Sequence, residues 1–195
     1  MRTAEVKRKT NETDIRVSLN LDGCGDASIN TPIGLFNHLL ESFCKHGLFD
    51  AEIMASGDLE VDQHHLVEDC GRVLGESFAR ILKDKKGINR TGFFVFPMDE
   101  ALAVVAVDLG GRPFLQYDAT FKRRFCGQFD TDILVDFFSG FSIGIQGNVV
   151  VRMPYGRSDH HKLEAIFKAF GKSLKMACCL EPRLAGATPS TKGVI

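Results

Sequence analysis

The chain has 195 residues, of which 44% are hydrophobic and 25% charged, and its formal net charge at pH 7 is −1. A chain of this length and composition can bury a sufficient core without disulfides or a structural metal. The near-neutral charge excludes the basic surface of a general nucleic-acid binder and a polybasic membrane-binding patch. We therefore expect neither nucleic acid nor a membrane among its partners.

Two further features of the sequence indicate the cellular compartment. The segment 1–13 is polar and lacks the apolar stretch of a signal peptide, and no apolar run approaches the roughly 20 residues of a membrane-spanning helix. The six cysteines include no CxxC pair, so we expect reduced thiols. Both features predict a cytoplasmic protein.

The first part of the chain mixes strand and helix patterns. Period-two alternation predicts strands, and apolar residues at helical spacing predict helices. The predicted elements are a strand at 14–21, a turn at 22–25, a helix at 35–43 ending near Gly47, a strand at 51–56, a turn at 57–58 and a helix at 65–82.

The second part repeats this order. The predicted elements there are strands at 93–96 and 102–107, a helix at 133–141, a strand at 148–153 and a helix at 163–174. Residues 185–195 are rich in Gly, Pro, Ser and Thr and show no periodicity. They predict a flexible arm or a lid.

A duplicated motif explains this repetition. The sequence HHxxE occurs at His64, His65 and Glu68 and recurs 96 residues later at His160, His161 and Glu164. The pairs Gly75/Gly171 and Ser77/Ser173 coincide at the same offset, which indicates internal duplication. The fold class predicted is α+β, with two similar halves, each a mostly antiparallel sheet with two helices packed on one face. We expect a single domain over 1–195, made of half 1 (about 1–88), half 2 (about 89–183) and a C-terminal arm (184–195).

The motif is suited to binding metal ions. On a helix, residues i and i+4 share one face, so His64 and Glu68 can bind one ion while His65 points roughly 100° away, toward another. His38, upstream of the first copy, is a further candidate, and Asp136 occupies the matching position in the second half with a two-residue slip. The candidate ligands are His38, His64, His65, Glu68, Asp136, His160, His161 and Glu164. Nitrogen and oxygen donors without thiolate favour a six-coordinate ion such as Mn²⁺ over structural zinc.

Structural alternatives exist for these residues. Paired histidines can cap a helix or form hydrogen bonds, His38 can be a core residue, and Asp136 can be an ordinary exposed carboxylate. His46, beside Gly47 at a helix end, interacts favourably with the helix dipole.

Cationic and hydroxyl side chains in several segments predict the recognition of an anion such as phosphate. The candidates are Arg90, Arg112, Lys168, Ser190, Thr191 and Lys192. Each of the arginines can equally be a solvated surface residue. Lys168 is better placed, because it follows Glu164 by four residues on one helical face.

Motifs along the chain closely resemble those of the imidazoleglycerol-phosphate dehydratase family, from near residue 5 to residue 194. The segments that carry the resemblance are Arg8–Thr13, Asn37–Leu40, His46–Asp50, Gly57-Asp58, His64–Asp69, Gly87–Arg90, Pro97–Glu100, Gly111–Pro113, His160–Lys168 and Pro189–Gly193.

The resemblance implies a hydro-lyase of histidine biosynthesis that converts D-erythro-imidazole glycerol phosphate to imidazole acetol phosphate. It further implies two Mn²⁺ per active site and a homo-oligomer of 24 subunits with active sites between subunits. It assigns the histidines and glutamates of the two motifs and His38 to the metals, and Arg90, Arg112, Lys168, Ser190 and Lys192 to the phosphate. Glu12 and His46 correspond to substrate-pocket positions. We expect Glu164 to act as the catalytic base, with Glu12 as the alternative.

Three positions depart from the family pattern: Asp136 replaces a frequent His, Asn37 replaces a usual Asp and Val150 replaces a strand His. Two other functions stay open at this point. One is a different binuclear-metal enzyme acting on a small phosphate ester, and the other is a non-catalytic metal-binding shell protein.

Overall fold

The computed structural model describes all residues, Met1–Ile195, as ten strands and four α-helices. The strands are β1 (Thr3–Lys9), β2 (Thr13–Asn20), β3 (Ala27–Asn30), β4 (Asp50–Gly57), β5 (Thr91–Met98), β6 (Ala101–Asp108), β7 (Phe114–Asp118), β8 (Phe125–Cys126), β9 (Phe129–Asp130) and β10 (Asn148–Tyr155). The helices are α1 (Gly34–Gly47), α2 (His64–Leu82), α3 (Leu134–Ile145) and α4 (Asp159–Cys178). None of these helices has the length and apolar character needed to cross a membrane.

Two four-stranded sheets carry the duplication. Their strand orders are β1-β2-β4-β3 and β5-β6-β10-β7, and β8 and β9 form a separate hairpin. In each sheet the first three strands pair antiparallel and the fourth pairs parallel with its neighbour. The predicted α+β fold of two similar halves is thereby confirmed.

The short strands β8 and β9 of the hairpin were not predicted, and neither were three strands of the four-stranded sheets: β1, β3 and β7. All three lie at sheet edges, where a strand is hydrogen-bonded on one side only and needs little apolar surface. In β1 only Val6 is buried, and charged residues occupy most other positions. The hydrophobic pattern on which the prediction relied is therefore absent from these strands.

The helices pair across the two halves. The helix α1 packs chiefly against α4, and α2 packs against α3. One hydrophobic cluster of 45 buried residues includes members from both halves. Its largest fully buried side chains include Phe36, Phe43, Phe78, Phe137, Phe138, Phe141, Phe167 and Phe170. The two halves therefore share this cluster.

Glycines allow the close approach of α2 and α3. A Cβ atom at Gly71 or Gly75 would overlap a backbone carbonyl oxygen of α3, and a Cβ atom at Gly140 or Gly144 would overlap one of α2. Gly171 has the same role where α4 crosses α1. The helix backbones thus lie closer together than any residue with a side chain permits.

We predict that Gly140→Ala destabilises the fold. The added methyl group would overlap the backbone oxygen of Glu68 and push the helices apart, which for overpacking costs about 1–3 kcal/mol. Urea unfolding at fixed protein concentration measures the change. The control is Gly34→Ala, where a Cβ atom meets nothing within 4 Å. Equal stability of the two variants would refute the packing argument.

Candidate metal centres

The pairing of α1 with α4 assembles a first group of metal-ligand side chains, which we call triad 1: His38, His160 and Glu164. The Nε2 atoms of both histidines lie 2.8 Å from Oε1 of Glu164. The two imidazole rings stack with centroids 5.9 Å apart. One ligand atom from each residue lies within 4.8 Å of the other two, a spacing that allows them to hold one ion.

The pairing of α2 with α3 assembles triad 2: His64, Glu68 and Asp136. The Nε2 atom of His64 lies 3.4 Å from Oε2 of Glu68, and its Nδ1 atom lies 3.5 Å from Oδ2 of Asp136. In both triads the His and Glu four residues apart share a helical face, as the sequence spacing predicts.

The position of Asp136 is structurally equivalent to that of His38. Gly75 approaches the carbonyl oxygen of Phe141, and Gly171 approaches that of Phe43. The helices α1 and α3 are therefore related by 98 residues, while α2 and α4 are related by 96. This difference accounts for the two-residue slip between His38 and Asp136.

The second histidine of each motif belongs to neither triad. The Nδ1 atom of His65 lies 3.1 Å from Asp58, and that of His161 lies 2.8 Å from Glu100. A carboxylate at Nδ1 favours the tautomer that leaves Nε2 free as a ligand, an arrangement typical of metal-binding histidines.

These contacts shift the ionisation of both rings. The hydrogen bond with Asp58 raises the pKa of His65, and that with Glu100 raises the pKa of His161. The His161 ring in turn lowers the pKa of Glu100 to about 2. Neither Asp58 nor Glu100 is among the predicted site residues, because no helical spacing links them to the histidines. Both lie in segments that carry the family resemblance, and this is the signal by which they could have been found.

The surroundings of Glu164 make its carboxyl group strongly acidic. Its burial raises the pKa, but hydrogen bonds from Lys168, His38 and His160 outweigh burial and hold the pKa at about 2. Both carboxylate oxygens are occupied, since Oε1 faces the two imidazoles and Oε2 accepts from Lys168. A carboxylate held in this way is a weak base.

An open groove beside triad 1 brings together further predicted residues. His46, Lys168, His38 and Glu164 all line it. Burial, followed by the charge of Lys168, lowers the pKa of His46, and its ring contacts Phe96 at a centroid distance of 5.2 Å. His46 and Lys168 therefore face the space next to the triad 1 ligands.

The other anion-binding candidates lie apart from Lys168. Arg90 forms a bidentate pair with Asp108, at 2.6 and 2.9 Å, and donates a third hydrogen bond to the carbonyl of Pro189. This contact holds the C-terminal arm, predicted to be flexible or a lid, against the body. The remaining members are exposed Arg112, Thr191 and Lys192, and half-buried Ser190, whose hydroxyl accepts from the Lys192 backbone.

Glu12 lies in the turn between β1 and β2. Its side chain is exposed and has no hydrogen-bond or ion-pair partner. Its negative charge contributes to the raised pKa of His65, and its backbone oxygen accepts from the amide of Asp58. Glu12 is therefore a free carboxylate near the His65 side chain.

Two departures from the family pattern lie away from the triads. The Asn37 side chain hydrogen-bonds Thr31 and fixes the turn before α1. Val150 lies on β10 with Ala106 and Gln116 as its neighbours across the strands, on the sheet face that points away from the helices.

The donor set fits Mn²⁺. Each triad offers imidazole nitrogen and carboxylate oxygen, which suit divalent ions of this class. None of the six free cysteines belongs to a triad. The three that lie within the paired helices, Cys44, Cys70 and Cys178, are buried thiols whose pKa values are raised by that burial.

Comparisons with known proteins point to one family. A family model described as imidazoleglycerol-phosphate dehydratase matches residues 31–174. The imidazoleglycerol-phosphate dehydratase of Koribacter versatilis is 50% identical over 195 residues, the full length of both chains. That of Caldanaerobacter subterraneus is also 50% identical over the full length of both.

Solved structures give the same result. The crystal structure of imidazoleglycerol-phosphate dehydratase from Staphylococcus aureus superposes with a TM-score of 0.82 at 35% identity, covering 92% of this chain and 99% of that chain. The IGPD structure from Pyrococcus furiosus superposes with a TM-score of 0.85 at 32% identity, covering 97% of this chain and 100% of that chain.

We predict that Glu164 makes the metal-free protein sensitive to acid. Its folded pKa of about 2 lies below the ordinary value of 4.5, so it stabilises the fold above about pH 4.5, and this contribution disappears as the pH falls toward 2. The free energy of unfolding should therefore exceed that of Glu164→Gln by up to about 3 kcal/mol near neutral pH. The difference should vanish at low pH.

Denaturant titrations of chelator-treated protein between pH 2 and 7 measure this difference. The exposed residue Glu60 provides the control, Glu60→Gln, which removes a carboxylate that has no ion-pair partner. A difference between wild type and Glu164→Gln that is constant with pH would contradict the assignment.

Proposed function

The chain belongs to the imidazoleglycerol-phosphate dehydratase family, whose members are hydro-lyases of histidine biosynthesis, and we propose that it removes water from imidazole glycerol phosphate with the help of two Mn²⁺ ions. The observation that carries this proposal is the pair of imidazole–carboxylate triads, each built from two helices of different halves. A reaction on an imidazole substrate suits such a site, because an imidazole nitrogen is itself a metal ligand.

Each triad is proposed to hold one ion. His65 and His161 lie in neither triad of their own chain, and their Nδ1 atoms are already engaged by carboxylates. We propose that each serves as a ligand in a triad of a neighbouring subunit. The active site is then complete only between subunits, in agreement with the expected homo-oligomer of 24 chains.

Bound divalent ions supply Lewis acidity, which polarises the substrate and stabilises developing negative charge. The side chains of the protein do the rest. Lys168 and His46 face the groove beside triad 1 and contribute positive charge and a hydrogen-bonding ring there. Arg112, Ser190 and Lys192 offer donors to the phosphate and so orient the substrate for reaction.

The proton removed in the dehydration is bonded to carbon and needs a base with a free carboxylate. Glu164 is proposed to be a ligand of the triad 1 ion and also accepts a hydrogen bond from Lys168, so we propose that it is not the base. Glu12 is exposed and unpaired, and we propose it as the base. A positioned acid–base group of this kind contributes about 10²–10⁴-fold in rate.

The two sheets differ in their outer faces. In the first sheet that face carries charged residues such as Glu5, Lys7, Arg16 and Glu52. In the second sheet it carries an apolar group, Phe93, Val95, Leu102, Val104, Val150 and Phe114, several of them largely exposed, beside the ion pair of Arg152 with Asp118. An apolar face of this kind is typical of an interaction surface. We propose that the second sheet packs against further copies of this chain.

Incubation of the purified protein with imidazole glycerol phosphate and Mn²⁺ tests the proposed reaction. Formation of the carbonyl-containing product without release of inorganic phosphate is expected, and excess chelator should abolish it. Release of phosphate would instead indicate the alternative binuclear hydrolase. Bound metal without any turnover would indicate the non-catalytic shell protein.

We predict that Glu12→Gln lowers kcat by about 10²-fold or more, because the substitution removes the proton acceptor and keeps the shape of the side chain. Metal content and oligomeric state should stay unchanged. The control is Glu60→Gln, since Glu60 lines the same shallow depression as Glu12. If Glu12→Gln retains near-normal turnover, Glu12 is not the base.

We predict that Phe93→Asp disrupts the assembly. Phe93 is 63% exposed at the edge strand β5, and a carboxylate there would be buried without a partner in a contact between copies. Analytical ultracentrifugation measures the oligomeric state. The matched control is Met54→Asp, an exposed apolar residue on the outer face of the first sheet, which should leave assembly intact. Identical behaviour of both variants would count against the proposed surface.

A further inference from the structure

The two triads are equivalent in position but different in chemistry. Triad 1 offers two imidazoles and one carboxylate, whereas triad 2 offers one imidazole and two carboxylates, because Asp136 stands where His38 stands in the other half. The residue proposed to come from a neighbour is a histidine in both cases, so it does not remove the difference.

Nearby cations increase the difference. In triad 1, Lys168 donates to Glu164 and compensates its charge. The residue 96 positions earlier is Arg72, whose Nε donates instead to Glu76 at 3.1 Å. Triad 1 together with Lys168 therefore has no formal net charge, while triad 2 carries two negative charges that no adjacent cation neutralises.

From these contacts we infer that the two triads select different divalent ions, an inference that rests on the proposed metal dependence. Carboxylate oxygen and negative charge favour a hard ion, so triad 2 discriminates less against Mn²⁺ than triad 1 does, and takes Mn²⁺ when Zn²⁺ is limiting. Imidazole nitrogen favours ions later in the Irving–Williams order, so triad 1 prefers Zn²⁺ or Co²⁺. Offered a mixture, this chain binds one ion of each kind.

The experiment loads metal-free protein with one equivalent each of Mn²⁺ and Zn²⁺ per chain. The number of ions then equals the number of triads, so Zn²⁺ cannot fill both triads of every chain. The distribution of Zn²⁺ between triad 1 and triad 2 therefore reports the difference in their selectivity. Anomalous scattering at the two absorption edges gives the occupancy of each ion at each triad. We expect Zn²⁺ to exceed Mn²⁺ by about tenfold at triad 1 and the reverse at triad 2, which corresponds to about 1.4 kcal/mol per site.

Two variants locate the cause. Asp136→His gives triad 2 the donors of triad 1 and should bring the Mn²⁺ to Zn²⁺ ratios of the two triads to within about twofold. Asp136→Glu keeps the charge and the oxygen donor and should preserve the selectivity, so the inference can still be tested if the histidine variant does not fold.

The outcomes separate this inference from the proposed function. Equal ratios of the two ions at both triads of the wild type overturn the selectivity but leave a two-metal enzyme intact. Absence of ions from both triads overturns the metal dependence itself. Selectivity retained in Asp136→His shows that Asp136 is not its source.

Discussion

The close contact of helices from different halves is the constraint on which the rest of the structure depends. Four glycines along α2 and α3 and one on α4 bring backbone against backbone, so that side chains within about two turns of them on facing helices meet. His64 thereby faces Asp136, and Glu164 faces His38. A seam of larger residues would separate the helices and leave each histidine with its own helical partner alone.

Because the pairing crosses the halves, duplication and function are linked. Each triad takes two ligands from one half and one from the other, so neither half alone holds a complete set. The shared core, which contains phenylalanines from all four helices, also holds the two halves in this arrangement. The same helix packing therefore joins the two halves and positions the candidate ligands.

The two halves have diverged in chemistry while keeping their geometry. The outer face of the first sheet is mostly charged and polar, whereas that of the second exposes a group of large apolar side chains, although both sheets have the same strand order. Likewise, Lys168 neutralises Glu164 while Arg72 pairs away from Glu68. Backbone duplication thus preserved where ligands lie, and single substitutions changed which charges surround them.

The sequence by itself determined the features that depend on local spacing. The interval of four residues placed His64 beside Glu68 and His160 beside Glu164, and the repeated order of elements gave two similar halves. The search for a counterpart of His38 identified Asp136, because the duplication preserves helix positions. The motifs along the chain also identified the family.

Contacts between residues distant in sequence follow from the packing of separate elements. In the folded chain Asp58 contacts His65 and Glu100 contacts His161. Arg90 is paired with Asp108. Both oxygens of Glu164 have partners, whereas the carboxylate of Glu12 has none. The edge strands β1, β3 and β7 are likewise seen only in the folded chain, because their sequences lack a clear alternation of apolar and polar residues. Helical periodicity determines which residues are neighbours on one helix. The contacts between elements depend instead on how the helices and strands pack, and the spacing of residues along the sequence does not specify this packing.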